Sequence, residues 1–224
     1  MLREALVADI EMIEVDLWFR AGRIEARHEL RLGWLPVLAD KRPRGPTGIG
    51  PWAVPLPRGH YARLDLRPLL LPELLQTTSG TKRLLLDLKA VDAGPAEEFA
   101  KTLAREIERA DARASVAVCG QFWPVLDSLR EVAPEIEVRY SMQAGWQWGE
   151  YVRRLDTDMA TRAVCMHHGM ASAERTAFLE ANGVDVYCWT VDDAAMASAL
   201  VERGVDGVIS NDLALLAGLR SGRE

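Results

Sequence analysis

From residue 84 to residue 211 the chain alternates short apolar runs with amphipathic helical stretches, and this restricts its fold more than any other feature. The runs are residues 84–89, 115–120, 135–142, 162–167, 184–191 and 205–211. Helical patterns lie between them at 95–110, 124–132, 148–155, 172–182 and 193–203. Asn182-Gly183 and Arg203-Gly204 stop two helices just before a strand, and Asp192-Asp193 is placed to cap the helix that follows it. Strand and helix succeeding each other every ~20–30 residues is the rhythm of βα units on a parallel sheet.

Residues 12–19 add a seventh strand, led in by the end of a helix over 3–10. No glycine-rich phosphate loop breaks the series into a doubly wound order. An eight-stranded βα barrel takes eight units and typically ~250 residues. With 224 residues this chain is about one unit short, and the shortage is at its front. The expectation is an α/β fold, a TIM (β/α)8-type barrel lacking its first βα unit, as one domain over residues 1–224. Either Met1 is an internal start or the unit has been lost. The unpaired edges that an open barrel would leave beside 12–19 and 205–211 favour the first.

Residues 20–71 break the rhythm. A hairpin is expected where Arg20-Ala-Gly-Arg23 turns the chain into 24–28, followed by a Pro/Gly/Arg-rich loop over 33–67 that carries Trp34, Trp52, His60 and Tyr61. Loops this long are functional or poorly ordered, so the segment reads as a lid over the barrel mouth or as a surface insertion.

Composition narrows the class. About half the residues are apolar and 27% are charged, the balance of a globular protein. A net charge of −6 argues against nucleic acid as a partner, which calls for a basic face. No apolar run reaches the ~20 residues of a membrane span, and the first residues lack a signal-peptide pattern, so a cytoplasmic location is expected. Cys119, Cys165 and Cys188 are far apart, each inside an apolar run, with neither disulfide nor metal spacing. They read as small core residues.

Chemistry enters with two strands. Side chains two apart on a strand share a face, so Glu14 and Asp16 point the same way, about 7 Å apart. Asp87 and Lys89 likewise share a face. The opposite faces are apolar: Ile13, Val15, Leu17 and Phe19 in the first run, Leu84, Leu86 and Leu88 in the second. Three carboxylates and an ammonium on buried strands are costly unless neutralised. A divalent cation held by carboxylate oxygens, or a phosphate ester bound to that cation and Lys89, would neutralise them. Ordinary strand-end ion pairs are the other reading.

These residues carry a resemblance. The series Met12-Ile-Glu-Val-Asp-Leu, a glycine turn at Gly22, residues 24–28 with Glu29, Leu84-Leu-Leu-Asp-Leu-Lys, Trp189-Thr-Val-Asp-Asp and Gly204-Val-Asp-Gly-Val-Ile-Ser-Asn-Asp212 resembles the glycerophosphodiester phosphodiesterases. The likeness runs over about residues 3–217, in the family's order and spacing. It implies a βα barrel that binds a divalent metal, Mg²⁺ or Ca²⁺, and hydrolyses small-molecule glycerophosphodiesters to glycerol 3-phosphate and an alcohol. By resemblance Glu14, Asp16 and Asp87 are metal ligands, Lys89 is the phosphate-side cation, His28 is an acid–base histidine, and Trp189 lines the substrate site.

The sequence also departs from the family. The family opens with His-Arg-Gly at the end of its first strand and Glu-Asn after it, and these 224 residues contain neither. That motif carries the second catalytic histidine, a phosphate-side arginine and a metal-side glutamate. Asp87 stands where Glu is usual, so it reaches less far, and His28-Glu29 replaces His-Asp. Weak or no turnover is therefore expected of the chain as written, or a non-catalytic barrel that binds phosphate esters or serves as a scaffold. His167 and His168 end a strand where barrel sites lie; they read as rim residues, or one replaces the absent histidine. His60 is expected at the surface, and Trp123, Trp146 and Trp148 in packing roles.

Overall fold

The computed structural model describes residues 2–28, 38–40, 53–55, 61–63, 67–89, 95–157 and 161–221. A short helix α1 (Leu2–Val7) leads into β1 (Met12–Arg20), which turns back as β2 (Arg23–Ala26). The turn has positive φ at both central residues, Ala21 at 48° and Gly22 at 72°, the geometry that matches the twist of a two-residue hairpin. Three short strands follow, β3 (Leu38–Asp40), β4 (Ala53–Pro55) and β5 (Tyr61–Arg63), paired antiparallel into a separate small sheet. They fall where the sequence shows only a loop. Trp34, Trp52, His60 and the rest of that loop lie outside the described residues, and so does the expected lid. Next come β6 (Leu69–Leu70), α2 (Leu71–Thr78) and β7 (Arg83–Leu88).

From β7 onward the chain follows the expected alternation: α3 (Ala96–Arg109), β8 (Val116–Gly120), α4 (Trp123–Val132), β9 (Glu137–Met142), α5 (Gly145–Asp156), β10 (Ala163–His167), α6 (Ala173–Ala181), β11 (Asp185–Trp189), α7 (Ala194–Glu202), β12 (Gly207–Val208) and α8 (Leu213–Ser221). Two of the stop signals are seen at work, with Gly183 at φ 66° after α6 and Gly204 at φ 84° after α7. Asp193 caps α7 by accepting from the Met196 N–H at 2.8 Å. Asp192 does a different job, described below.

The main sheet has nine strands in the order β12-β11-β10-β9-β8-β7-β1-β2-β6. Its seven strands from β12 to β1 are mutually parallel, and β2 and β6 extend it antiparallel. The order is linear: among the described residues β12 and β1 form no ladder with each other.

Period-two alternation sorts the side chains. Outward residues such as Leu17, Leu84, Leu86, Val118, Tyr140, Val164 and Val186 are buried under the helices and make the large core. Each fully buried side chain of this kind contributes roughly 1.5–3 kcal/mol. The inner face holds a smaller cluster of Leu85, Ala117, Cys119 and Cys165, with Met12, Tyr187, Trp189 and Ile209 packed against it. All three cysteines are free and buried, as their sequence setting implies.

Candidate active site

Parallel pairing brings the acids together. β1 and β7 run in register with Asp16 beside Asp87, so the two inner faces place their carboxylates next to each other. Oxygens of Glu14, Asp16 and Asp87 lie within 4.8 Å of one another. Lys89, one residue past β7, continues the ladder by donating its backbone N–H to Leu17 O at 2.9 Å. Its ammonium bonds Asp16 Oδ1 at 2.7 Å and also Asp87 Oδ2. The group sits at the C-terminal ends of the strands, the end where βα barrels carry their sites.

Electrostatics follow from this crowding. Protein atoms packed around the Glu14 carboxyl, with Asp16 and Asp87 beside it, push its pKa up to about 8 despite Lys89. Glu14 as a residue is nevertheless exposed. That exposure weakens the desolvation cause, so the upward direction rests mainly on the two neighbouring carboxylates. Burial works against the charge on Lys89, but contact with Asp87 and Asp16 outweighs it and holds the ammonium above its usual range. Beneath them, a hydrogen bond to Cys165 and burial keep the Cys119 thiol well above its ordinary value. The available donors are therefore carboxylate oxygens, a set that fits a hard divalent cation.

The remaining sequence candidates lie around this group. His28 follows β2, its ring 82% exposed and its Nε2 4.0 Å from Asp16 Oδ2. Trp189 ends β11 on the inner face, its indole N–H buried without an acceptor. The His167 ring meets Trp189 edge-on at 5.2 Å and lies 4.2 Å from the His168 ring. His167 Nδ1 accepts from the Gly169 N–H at 3.2 Å, and burial together with His168 lowers the pKa of its ring. Trp123 packs as expected, stacked on Tyr140 at 4.6 Å, and Trp148 meets Phe178 edge-on. Trp146 does not: at the start of α5 it is 69% exposed.

Three further residues shape the rim. Asp192 accepts from Ser210 Oγ and the Asn211 N–H, both at 2.8 Å, and so ties the loop after β12 to the loop after β11. Trp18 and Arg27 face the site from the β1–β2 hairpin, and reading the sequence strand by strand passed over both. The signal was available: a two-residue turn between Arg20 and Arg23 sets Arg27 opposite Asp16.

Parallel βα units with three carboxylates and a lysine gathered at the C-terminal strand ends define a barrel-type chain with an acidic, cation-compatible site. The profile of the glycerophosphoryl diester phosphodiesterase family matches residues 92–215, more than half the chain, and the chain belongs to that family. The match begins after β7, so the strands bearing Glu14, Asp16, Asp87 and Lys89 precede it. A glycerophosphodiester phosphodiesterase of Arabidopsis thaliana is 29% identical over 156 residues, which cover 68% of this chain. The chain spans about 46% of that relative's length. Among solved structures, a protein from Silicibacter pomeroyi described as a glycerophosphoryl diester phosphodiesterase superposes with a TM-score of 0.75 at 17% identity, covering 99% of this chain and 87% of its own. An Oleispira antarctica phosphodiesterase in complex with sn-glycerol-3-phosphate gives 0.71 at 18% identity, covering 99% and 88%. At these identities the solved structures establish the shared fold.

Proposed function

We propose that this chain hydrolyses glycerophosphodiesters to glycerol 3-phosphate and an alcohol, with Glu14, Asp16 and Asp87 holding a divalent cation, Mg²⁺ or Ca²⁺. The convergence of those three carboxylates with Lys89, in a member of this family, carries the reading. A cation held there would stabilise charge on a non-bridging phosphate oxygen and help to orient the attacking water. Lys89 leans on Asp16 and Asp87 and presents positive charge to the phosphate, offsetting what accumulates in the transition state. His28, exposed beside Asp16, delivers a proton to the leaving alkoxide. Trp189 supplies an apolar wall and an unmet N–H donor on the far side.

The test is release of glycerol 3-phosphate from glycerophosphocholine and glycerophosphoethanolamine by the 224-residue chain with Mg²⁺, Ca²⁺ or Mn²⁺. Metal-dependent release that is lost in Asp16→Asn supports the reading, and it should be weak in the chain as written; a form carrying the family's opening His-Arg-Gly segment at its front that releases no more than in chelator overturns it. One observation favours a second reading, a barrel that binds phosphate esters without turnover. Lys89 already bridges Asp16 and Asp87 and offsets one of their charges, which reduces the cluster's need for a metal. Binding of glycerol 3-phosphate without turnover in any of the three metals would select it.

A further inference from the structure

Seven buried side-chain nitrogen or oxygen atoms lack a hydrogen-bond partner among the described residues, and two belong to side chains in contact on the β1–β2 hairpin: Trp18 Nε1 and Arg27 Nη2. The Arg27 guanidinium lies over the Trp18 ring, 5.3 Å from its centroid. The register explains why they meet there. β1 pairs Leu17 with Ala26 and Trp18 with Glu25, and the Arg27 N–H donates to Asp16 O at 3.0 Å, which sets Arg27 directly opposite Asp16. Opposed residues of an antiparallel pair share a face, so Arg27 leaves the sheet on the side of Glu14, Asp16 and Trp18. Its Nε is committed to Glu25 at 2.9 Å, and the residue is only 8% exposed. A buried charged donor without an acceptor is a standing cost that an entering oxygen removes.

We propose that Arg27 and Trp18 form an anion-recognition pair beside the carboxylate cluster and bind non-bridging oxygens of the phosphate ester. This rests on the hydrolase reading above and extends it to residues that reading does not use. Guanidinium N–H groups suit phosphate oxygens in geometry and charge, and the indole N–H adds a neutral donor next to them. Glu25 balances the Arg27 charge and accepts from its Nε, leaving the neighbouring Nη2 as the donor without a partner. Arg83 and Arg139 also carry an unpartnered buried nitrogen, but both guanidiniums are paired with Glu137 at the start of β9 rather than set beside Asp16 on the hairpin.

Calorimetric titration of glycerol 3-phosphate into the full chain at saturating Ca²⁺ tests the pair, with Ca²⁺ affinity and thermal unfolding measured separately for each variant. Arg27→Gln should weaken glycerol 3-phosphate binding roughly 10- to 100-fold, and Trp18→Phe, which keeps an aromatic ring, about 3- to 10-fold. Ca²⁺ affinity should stay within about threefold of the parent in both, which a merely structural defect in the hairpin would not allow. If wild type binds glycerol 3-phosphate and a folded Arg27→Gln or Trp18→Phe variant binds it equally well, the pair is overturned and the hydrolase reading stands. If wild type binds none, both fall. Should Arg27→Gln not fold, Trp18→Phe decides alone.

Discussion

The Lys89 ammonium bridges two of the three site carboxylates and offsets one of their charges, and its contribution can be separated from that of a cation. Its side chain is 31% exposed while that of Asp16 is only 8% exposed, so removing the ammonium leaves a nearly buried carboxylate beside two others. Lys89→Met should lower the unfolding free energy by about 1–3 kcal/mol in chelator, measured by urea denaturation, with most of it regained in Ca²⁺. An unchanged midpoint would mean that the cluster is solvated well enough to need no partner. Glu14 predicts a pH dependence. Its carboxyl is raised from 4.5 to about 8, so the folded chain keeps a proton that the unfolded chain has released across that window. Its contribution to stability without divalent ions is therefore greatest below pH 4.5, falls as pH rises toward about 8, and is level beyond. Lys89, shifted upward, contributes constantly over the same range. Urea midpoints in chelator that rise over this window, with Glu14→Gln showing the same rise, would contradict the assignment.

At the scale of elements, β11 and β12 make a sharp packing prediction. A Cβ on Gly207 would lie 2.6 Å from Tyr187 Cδ1, and the Tyr187 ring is covered on one face by the Arg139 guanidinium at 3.9 Å. The ring has little room to yield, so Gly207→Ala should cost about 1–3 kcal/mol and lower the thermal midpoint. Much of this level was legible beforehand. Glu14 with Asp16, and Asp87 with Lys89, could be assigned to one face because a strand's period of two is written directly in the sequence. Their meeting then needed only that β1 and β7 be parallel neighbours. Arg27 was missed because its face depends on hairpin register, set by Ala21-Gly22 rather than by either strand, whereas Trp18, two residues past Asp16, was within reach of the same alternation. α2 was missed because Leu71-Pro-Glu-Leu-Leu is too short for periodicity to show. Glu73, which accepts from the Leu70 N–H at 3.0 Å, marks its start through a contact rather than a pattern. In residues 205–211 the apolar run overstated the strand, since only Gly207–Val208 pair with β11.

For the whole molecule, the seven parallel strands counted from sequence stand in the order expected, with β1 and β12 unpaired to each other among the described residues. No helix among those residues is long and apolar enough to cross a membrane. Because the carboxylates come from two neighbouring strands of one sheet, occupancy of the site should stabilise the chain as a unit. Linkage puts the gain at about 2.7 kcal/mol when free Ca²⁺ is a hundred times its dissociation constant, readable as a rise in thermal midpoint. The most direct measurement of the central claim, that Glu14, Asp16 and Asp87 act as one cation site, is calorimetric titration of Ca²⁺ at neutral pH. It should be run in buffers of different ionisation enthalpy, on the wild type and on Asp16→Asn and Asp87→Asn. The account predicts one ion per chain, proton release on binding because Glu14 must ionise, and loss of binding by at least about tenfold in each variant. No binding by the folded wild type, or affinity unchanged in both variants, would contradict it.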